Sequence, residues 1–148
     1  MKRIVFIYLA AALLSAQSAY AKCTNGSKTV FSCMTTKAKT IEVCETKSTI
    51  AYSFGKPPAK PEIEVKILRQ QASTFQWAGI GRYMSYAVDI PNGNTTYSVF
   101  WGVDRITPEH AIEAGVNVLI NNNVKATVQC SGKNIEQHLE GINLKPTE

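Results

Sequence analysis

Four cysteines, Cys23, Cys33, Cys44 and Cys130, carry the most reactive side chains of this 148-residue sequence. Thiols serve as nucleophiles, zinc ligands or disulfide partners, and spacing separates these uses. No CxxC pair occurs, and gaps of ten, eleven and eighty-six residues do not match zinc-ligand spacing. An even number behind an export signal reads instead as two disulfides, which leaves no thiolate nucleophile. The two histidines, His110 and His138, have no partner at i+4 and read as surface residues. Gly79-Ile80-Gly81 lacks the third glycine and following helix of a phosphate-binding loop, so it reads as a bend between strands. Glu62/Glu64 and Asp89/Asp104 sit among polar neighbours on strands, as solvated faces rather than a tuned acid–base pair. With no GxSxG, HExxH or P-loop, the expectation is no enzyme, no catalytic residue, no cofactor and no metal.

Binding chemistry is easier to find. Tyr83 and Phe100 fall on the polar face of a predicted hairpin, flanked by Arg82 and Arg105. Aromatic residues and arginine are enriched at binding hot spots. The simpler account is that both rings pack under a loop or a neighbouring strand, with Tyr83 covering Gly102. The functional account makes Arg82, Tyr83, Phe100, Arg105 and Lys133 a partner-binding set, presented by the loops at 79–83, 104–109 and 131–134. Mobile loops on a stiff frame are where recognition residues usually sit.

The frame behind those loops begins after a leader. Lys2 and Arg3 precede an unbroken apolar run at 4–14, and Ala19-Tyr20-Ala21 offers the small residues that a signal peptidase reads. Eleven apolar residues at about 1.5 Å each do not span about 30 Å of hydrocarbon. Residues 1–21 are therefore predicted to be a secretory signal, and 22–148 a single exported domain, periplasmic or secreted. Losing Lys2 and Arg3 lowers the formal charge from +5 to +3. The remaining lysines are scattered, which excludes the dense basic stripe of a nucleic-acid binder. Hydrophobic content of 45% with only 18% charged residues excludes disorder.

Period-two alternation runs through 50–54, 63–67 and 75–77, interrupted by Gly, Pro and Asn clusters. This predicts an all-β, antiparallel sandwich or barrel of eight to nine strands with one or two short helices. Asn92-Gly93 predicts a two-residue hairpin turn, with Met84, Tyr86, Val88, Ile90, Tyr97, Val99, Trp101 and Val103 on one face. A three-residue loop at 121–123 would align Val116, Val118 and Ile120 with Val124, Ala126, Val128 and Cys130. For the first ribbon, a two-residue turn at 38–39 puts Cys33 opposite Cys44. A three-residue turn at 37–39 gathers Phe31, Cys33, Ile41 and Val43 on one face and turns Cys44 away. The second register has the better apolar face and favours Cys33–Cys130 with Cys23–Cys44. Helices are predicted from the cap at Thr107-Pro108 to Gly115, and from Asn134 to Glu140.

Several of these segments together resemble a group of small exported bacterial proteins with disulfide-bonded β domains. They are Cys23, Phe31-Ser32-Cys33, Val43-Cys44, Tyr52-Ser53-Phe54-Gly55, Gly115-Val116-Asn117-Val118 and Cys130. More loosely, the pattern is similar to periplasmic lysozyme inhibitors and to immunity proteins that neutralise cell-wall-degrading effectors. Those lysozyme inhibitors carry Ser-Gly followed closely by Tyr on an inserting loop, whereas Ser131-Gly132 here is followed by Lys133-Asn134. The resemblance therefore implies an immunity role, with another protein as partner, a peptidoglycan hydrolase or secreted effector. A different class of function would be a carrier of a small hydrophobic ligand, its cavity lined by Tyr86, Tyr97 and Trp101.

Overall fold

Alternating strands dominate the computed structural model, which describes residues 23–132 and 134–148; the predicted signal at 1–21 and Lys133 lie outside the described residues. The strands are β1 (Lys28–Met34), β2 (Thr40–Glu45), β3 (Thr49–Gly55), β4 (Ile63–Leu68), β5 (Ser73–Gln76), β6 (Tyr83–Asn92), β7 (Thr95–Asp104), β8 (Ile112–Ile120), β9 (Asn123–Gln129), β10 (Glu136–Gln137) and β11 (Lys145–Pro146). Five form one sheet, in the order β10-β1-β2-β3-β4, and six the other, β11-β5-β6-β7-β8-β9. All pairs are antiparallel except β11 with β5. The architecture is an all-β sandwich, as the alternation predicts.

One continuous core lies between the sheets. The first contributes Phe31, Ile41, Val43, Ile50 and Tyr52, and the second Val88, Ile90, Tyr97, Val99 and Val116. Each such side chain removed from water contributes roughly 1.5–3 kcal/mol. Tyr52 of β3 stacks on Tyr97 of β7 with ring centroids 4.7 Å apart, joining the layers at their centre. Tyr86 and Trp101 stack at 6.3 Å. The rings that a carrier would use as cavity walls thus pack against other rings. Leu139, fully buried, closes the core from the segment after β10. Gln76 holds that segment, donating to the Leu139 carbonyl and accepting from the Gly141 amide, each at 2.8 Å.

Both disulfides form in the favoured pairing. Cys23–Cys44 ties the segment before β1 to β2. Cys33–Cys130 joins β1 in one sheet to the residue following β9 in the other. The first ribbon gathers Phe31, Cys33, Ile41 and Val43 on the core face as expected, but Cys33 pairs with Ile41 and the Thr35 amide bonds to the Lys39 carbonyl, so the loop is 36–38 rather than 37–39.

Other local details differ from the sequence expectation. In the central hairpin Asn92 pairs with Thr95, so Gly93 and Asn94 are the turn residues. Gly93 has φ 63 at the first central position, the pattern of a type II′ turn. Every pairing shifts by two: Ile90 opposes Tyr97 and Tyr86 opposes Trp101. A shift of two keeps each side chain on its predicted face. The next hairpin turns on Asn121 and Asn122, with φ 49 and 62, rather than on three residues. A bulge then restores the predicted alignment of Val118 with Ala126 and Val116 with Val128, while Val124 is exposed. Neither predicted helix forms. Asp104 N–H bonds to the Ala111 carbonyl, so β7 returns as β8 in too few residues for one, and His110 takes φ 44. In the segment 134–140, Glu136 and Gln137 pair with β1 instead. The one short helix among the described residues is a 3-10 turn at Arg69–Gln71, which carries the chain from the first sheet to the second.

Candidate functional site

Strand register sets which loops share an end of the sandwich. β6 starts at Tyr83, β7 stops at Asp104, β8 starts at Ile112 and β9 runs out beside Gly115, so the loops at 77–82 and 105–111 and the segment 130–132 all leave from one side. Gly79 and Gly81, with φ 83 and 97, let the first loop turn where a Cβ would be strained. Arg105 N–H donates to the Arg82 carbonyl at 3.0 Å and fastens the first loop to the second.

Arginines and aromatics organise this end. Arg82 donates from Nε to Asp104 Oδ2 at 2.7 Å, and its Nη2 lies 2.6 Å from the same oxygen. The other carboxylate oxygen, Oδ1, accepts the Ile106 and Thr107 amides at 3.0 and 3.3 Å. The hydrogen bond from Arg82, then the one from the Ile106 amide, hold the Asp104 carboxyl well below the usual carboxylate range. Next along the chain, the Arg105 guanidinium lies 4.6 Å from the centroid of the Trp77 ring. Trp77 itself packs against the core and donates from its indole to the Ile80 carbonyl at 2.9 Å. Ile80 and Ile106 stand out of this scaffold, 84% and 69% exposed.

Tyr83 bridges the loop end and the outer face of the six-stranded sheet. Its hydroxyl donates to Glu113 Oε2 at 3.0 Å, and its ring covers Gly102. Burial, followed by that hydrogen bond, pushes the phenol up to about 12. Phe100 belongs elsewhere. It lies in a row with Phe75, Ala87 and Gly115, on a cleft of about 800 Å3 across the outer face. At Gly115 a Cβ would collide with the Val128 carbonyl, so the close approach of β9 there requires glycine. Of the five residues expected to bind a partner, Arg82, Tyr83 and Arg105 therefore lie together. Phe100 sits farther down the sheet, and Lys133 lies outside the described residues.

Ile80, Ile106 and the role of Trp77 are not apparent from alternation. An isoleucine enclosed by two glycines is the available signal for the first, since such a residue has no strand face to join.

A second cluster lies on the outer face of the five-stranded sheet. Register aligns Glu136, Ser32, Glu42, Ser53 and Glu64 in one row across four of its strands and β10. Glu42 is 7% exposed, and burial, then the neighbouring Glu136 charge, pushes its carboxyl from an ordinary 4.5 up to about 7. A carboxylate oxygen of Glu42 and the sulfurs of Cys23 and Cys44 lie within 4.8 Å of one another. Those sulfurs are joined to each other, so this group offers no thiolate pair to a metal. Set against known proteins, the chain matches no family model, no curated protein and no solved structure. Its two intramolecular disulfides point to an oxidising, exported environment. Among the described residues no helix is long and apolar enough to cross a membrane.

Proposed function

We propose that this chain is a periplasmic inhibitor that binds another protein, an immunity protein neutralising a cell-wall-degrading enzyme by occluding its active site. The observation that carries this reading is the pair Ile80 and Ile106, two large apolar side chains held out in solvent by loops that are themselves tied down. Exposed apolar tips on an ordered scaffold are costly in water and gain by burial in a partner's cleft. Arg82, held by Asp104, and Arg105, held over the Trp77 ring, flank them, and their remaining guanidinium N–H donors are pre-positioned for carboxylates on the rim of a target. The mechanism is steric: the loop end enters the enzyme's groove and excludes its substrate.

Affinity capture with the oxidised protein as bait, against lysates of its source and of competing bacteria, tests the reading. A peptidoglycan hydrolase recovered at one-to-one stoichiometry and inhibited by the bait is the expected result. The substitutions Ile80→Asp and Ile106→Asp should then lower affinity by about a hundredfold without changing Tm, in the range of a central hot spot. A triple Arg82/Arg105/Lys133 alanine variant that kept full affinity would remove the basic residues from the interface. A captured hydrolase that stays fully active would reject inhibition itself.

A further inference from the structure

Two open clefts lie toward the end of the sandwich away from these loops, and they meet at Lys145. The first, about 760 Å3, is lined by Lys47, Arg69 and Lys145, with Leu68 beside them. Arg69 is fixed: Nη2 donates to the Asn143 carbonyl at 2.9 Å, and Nη1 pairs with Glu45. Lys47 and Lys145 are exposed and make no ion pair among the described residues. The second cleft, already noted for Phe100, continues past Lys145 over the outer face of the six-stranded sheet. Its floor presents Phe75, 51% exposed, and Phe100, separated by Ala87 of the intervening strand. Strands two apart lie roughly 9–10 Å from each other, the reach of about two pyranose units. In the next row stand Asp89, Ser98 and Asn117, hydroxyl and amide partners with one carboxylate. Asp89 already accepts the Thr147 hydroxyl at 2.7 Å, and Glu148 also borders the cleft.

Charge and polarity thus change along one groove, from two unpaired lysines beside the Glu45-paired Arg69 to hydroxyl, amide and carboxylate groups around two phenyl rings. We propose that this groove binds an acidic polysaccharide, with an anionic sugar substituent at Lys47, Arg69 and Lys145 and neighbouring pyranose rings over Phe75 and Phe100. Guanidinium and ammonium groups match the anion, and the electron-rich ring faces attract polarised C–H bonds of the sugar. The carboxylates of Asp89 and Glu148 accept from sugar hydroxyls. Concave sites with a few convergent polar groups are the usual form of ligand sites. The groove is separate from the loop end, so glycan binding stands or falls independently of the inhibitor reading.

Affinity electrophoresis of the oxidised protein in gels containing polygalacturonate, dextran or polyglutamate tests this. Polygalacturonate should retard the protein at least tenfold more strongly than either neutral dextran or polyglutamate of equal carboxylate content. Lys47→Ala with Lys145→Ala should weaken retardation at least tenfold, and Phe75→Ala with Phe100→Ala at least fivefold. Lys37→Ala with Lys60→Ala, which removes the same charge from exposed positions outside the groove, should stay within twofold. No retardation by polygalacturonate, equal retardation by polyglutamate, or an equal loss in the Lys37/Lys60 variant would each overturn the proposal. The surface lysine pairs keep the test decisive if the phenylalanine variant unfolds, which its melting curve reports.

Discussion

The ring of Tyr83 occupies the space that a methyl group on Gly102 would need, although the two residues are not paired across their strands. Glycine is therefore required at 102 by contact rather than by backbone angle. Gly102→Val should displace the ring and break its bond to Glu113, costing about 1–3 kcal/mol as an overpacking substitution. Tyr83→Phe keeps the ring and should cost much less. Melting curves of the two variants, with tyrosine titration of the parent showing one phenol ionising near 12, check both points.

Glu42 predicts an inverted pH response. Its carboxyl titrates at about 7 in the folded chain against an ordinary 4.5, so the folded state holds the proton more tightly. Its contribution is most favourable below the ordinary value and is lost as pH rises through about 7, the reverse of a salt-bridged carboxylate. Glu42→Gln should raise stability at pH 8 by roughly 1–3 kcal/mol and flatten stability against pH between 5 and 7. Urea unfolding at several pH values measures this.

The two disulfides should contribute unequally. Cys23–Cys44 closes a separation of 21 residues and Cys33–Cys130 one of 97. On chain entropy alone these are worth about 3 and about 5 kcal/mol. Paired Cys→Ala variants should follow that order in urea unfolding, the Cys33/Cys130 variant being the less stable.

Asp104→Asn should loosen the loop end without unfolding the sandwich. It removes the partner of Arg82 and weakens the acceptor of the Ile106 and Thr107 amides. Hydrogen exchange at those two amides should accelerate while β6 and β7 core amides stay protected. Because its folded value is depressed, the Asp104 contribution is present above the ordinary carboxylate range and is lost as pH falls through the lowered value. Parent exchange at these amides, corrected for intrinsic rate, should rise in that acid range.

Alternation reveals which face a residue occupies more readily than which residue it faces. The central hairpin illustrates this: Asn92-Gly93 marks the turn, yet Gly93 takes the first turn position and all partners move by two with no side chain changing face. The extra residue of the bulge in β9 similarly compensates for a shorter turn. Local helix signals at Thr107-Pro108 lose to hairpin closure between Asp104 and Ala111, a tertiary constraint with no local trace. Cysteine placement was readable because one register gathered the apolar residues around Cys33. At the loop end, Arg82, Tyr83 and Arg105 were legible by type, whereas the exposure of Ile106 depends on the Asx-type turn made by Asp104. Alternation places Phe100 with Tyr83 because face membership does not separate neighbouring rows of one sheet.

The parallel pairing of β11 with β5 makes the completion of the sandwich a late event in synthesis. β5 emerges early, but the strand that covers Ser73 and Thr74 on its outer edge is made only after the whole of β6 to β9. Until then a sheet edge stands open, ready to pair with another unfinished chain. A truncated chain ending after Ile142 would retain that adhesive edge permanently. The Ser73–Thr74 part of that edge is thus closed by two residues far along the chain, and a bulky fusion placed next to them would reopen it.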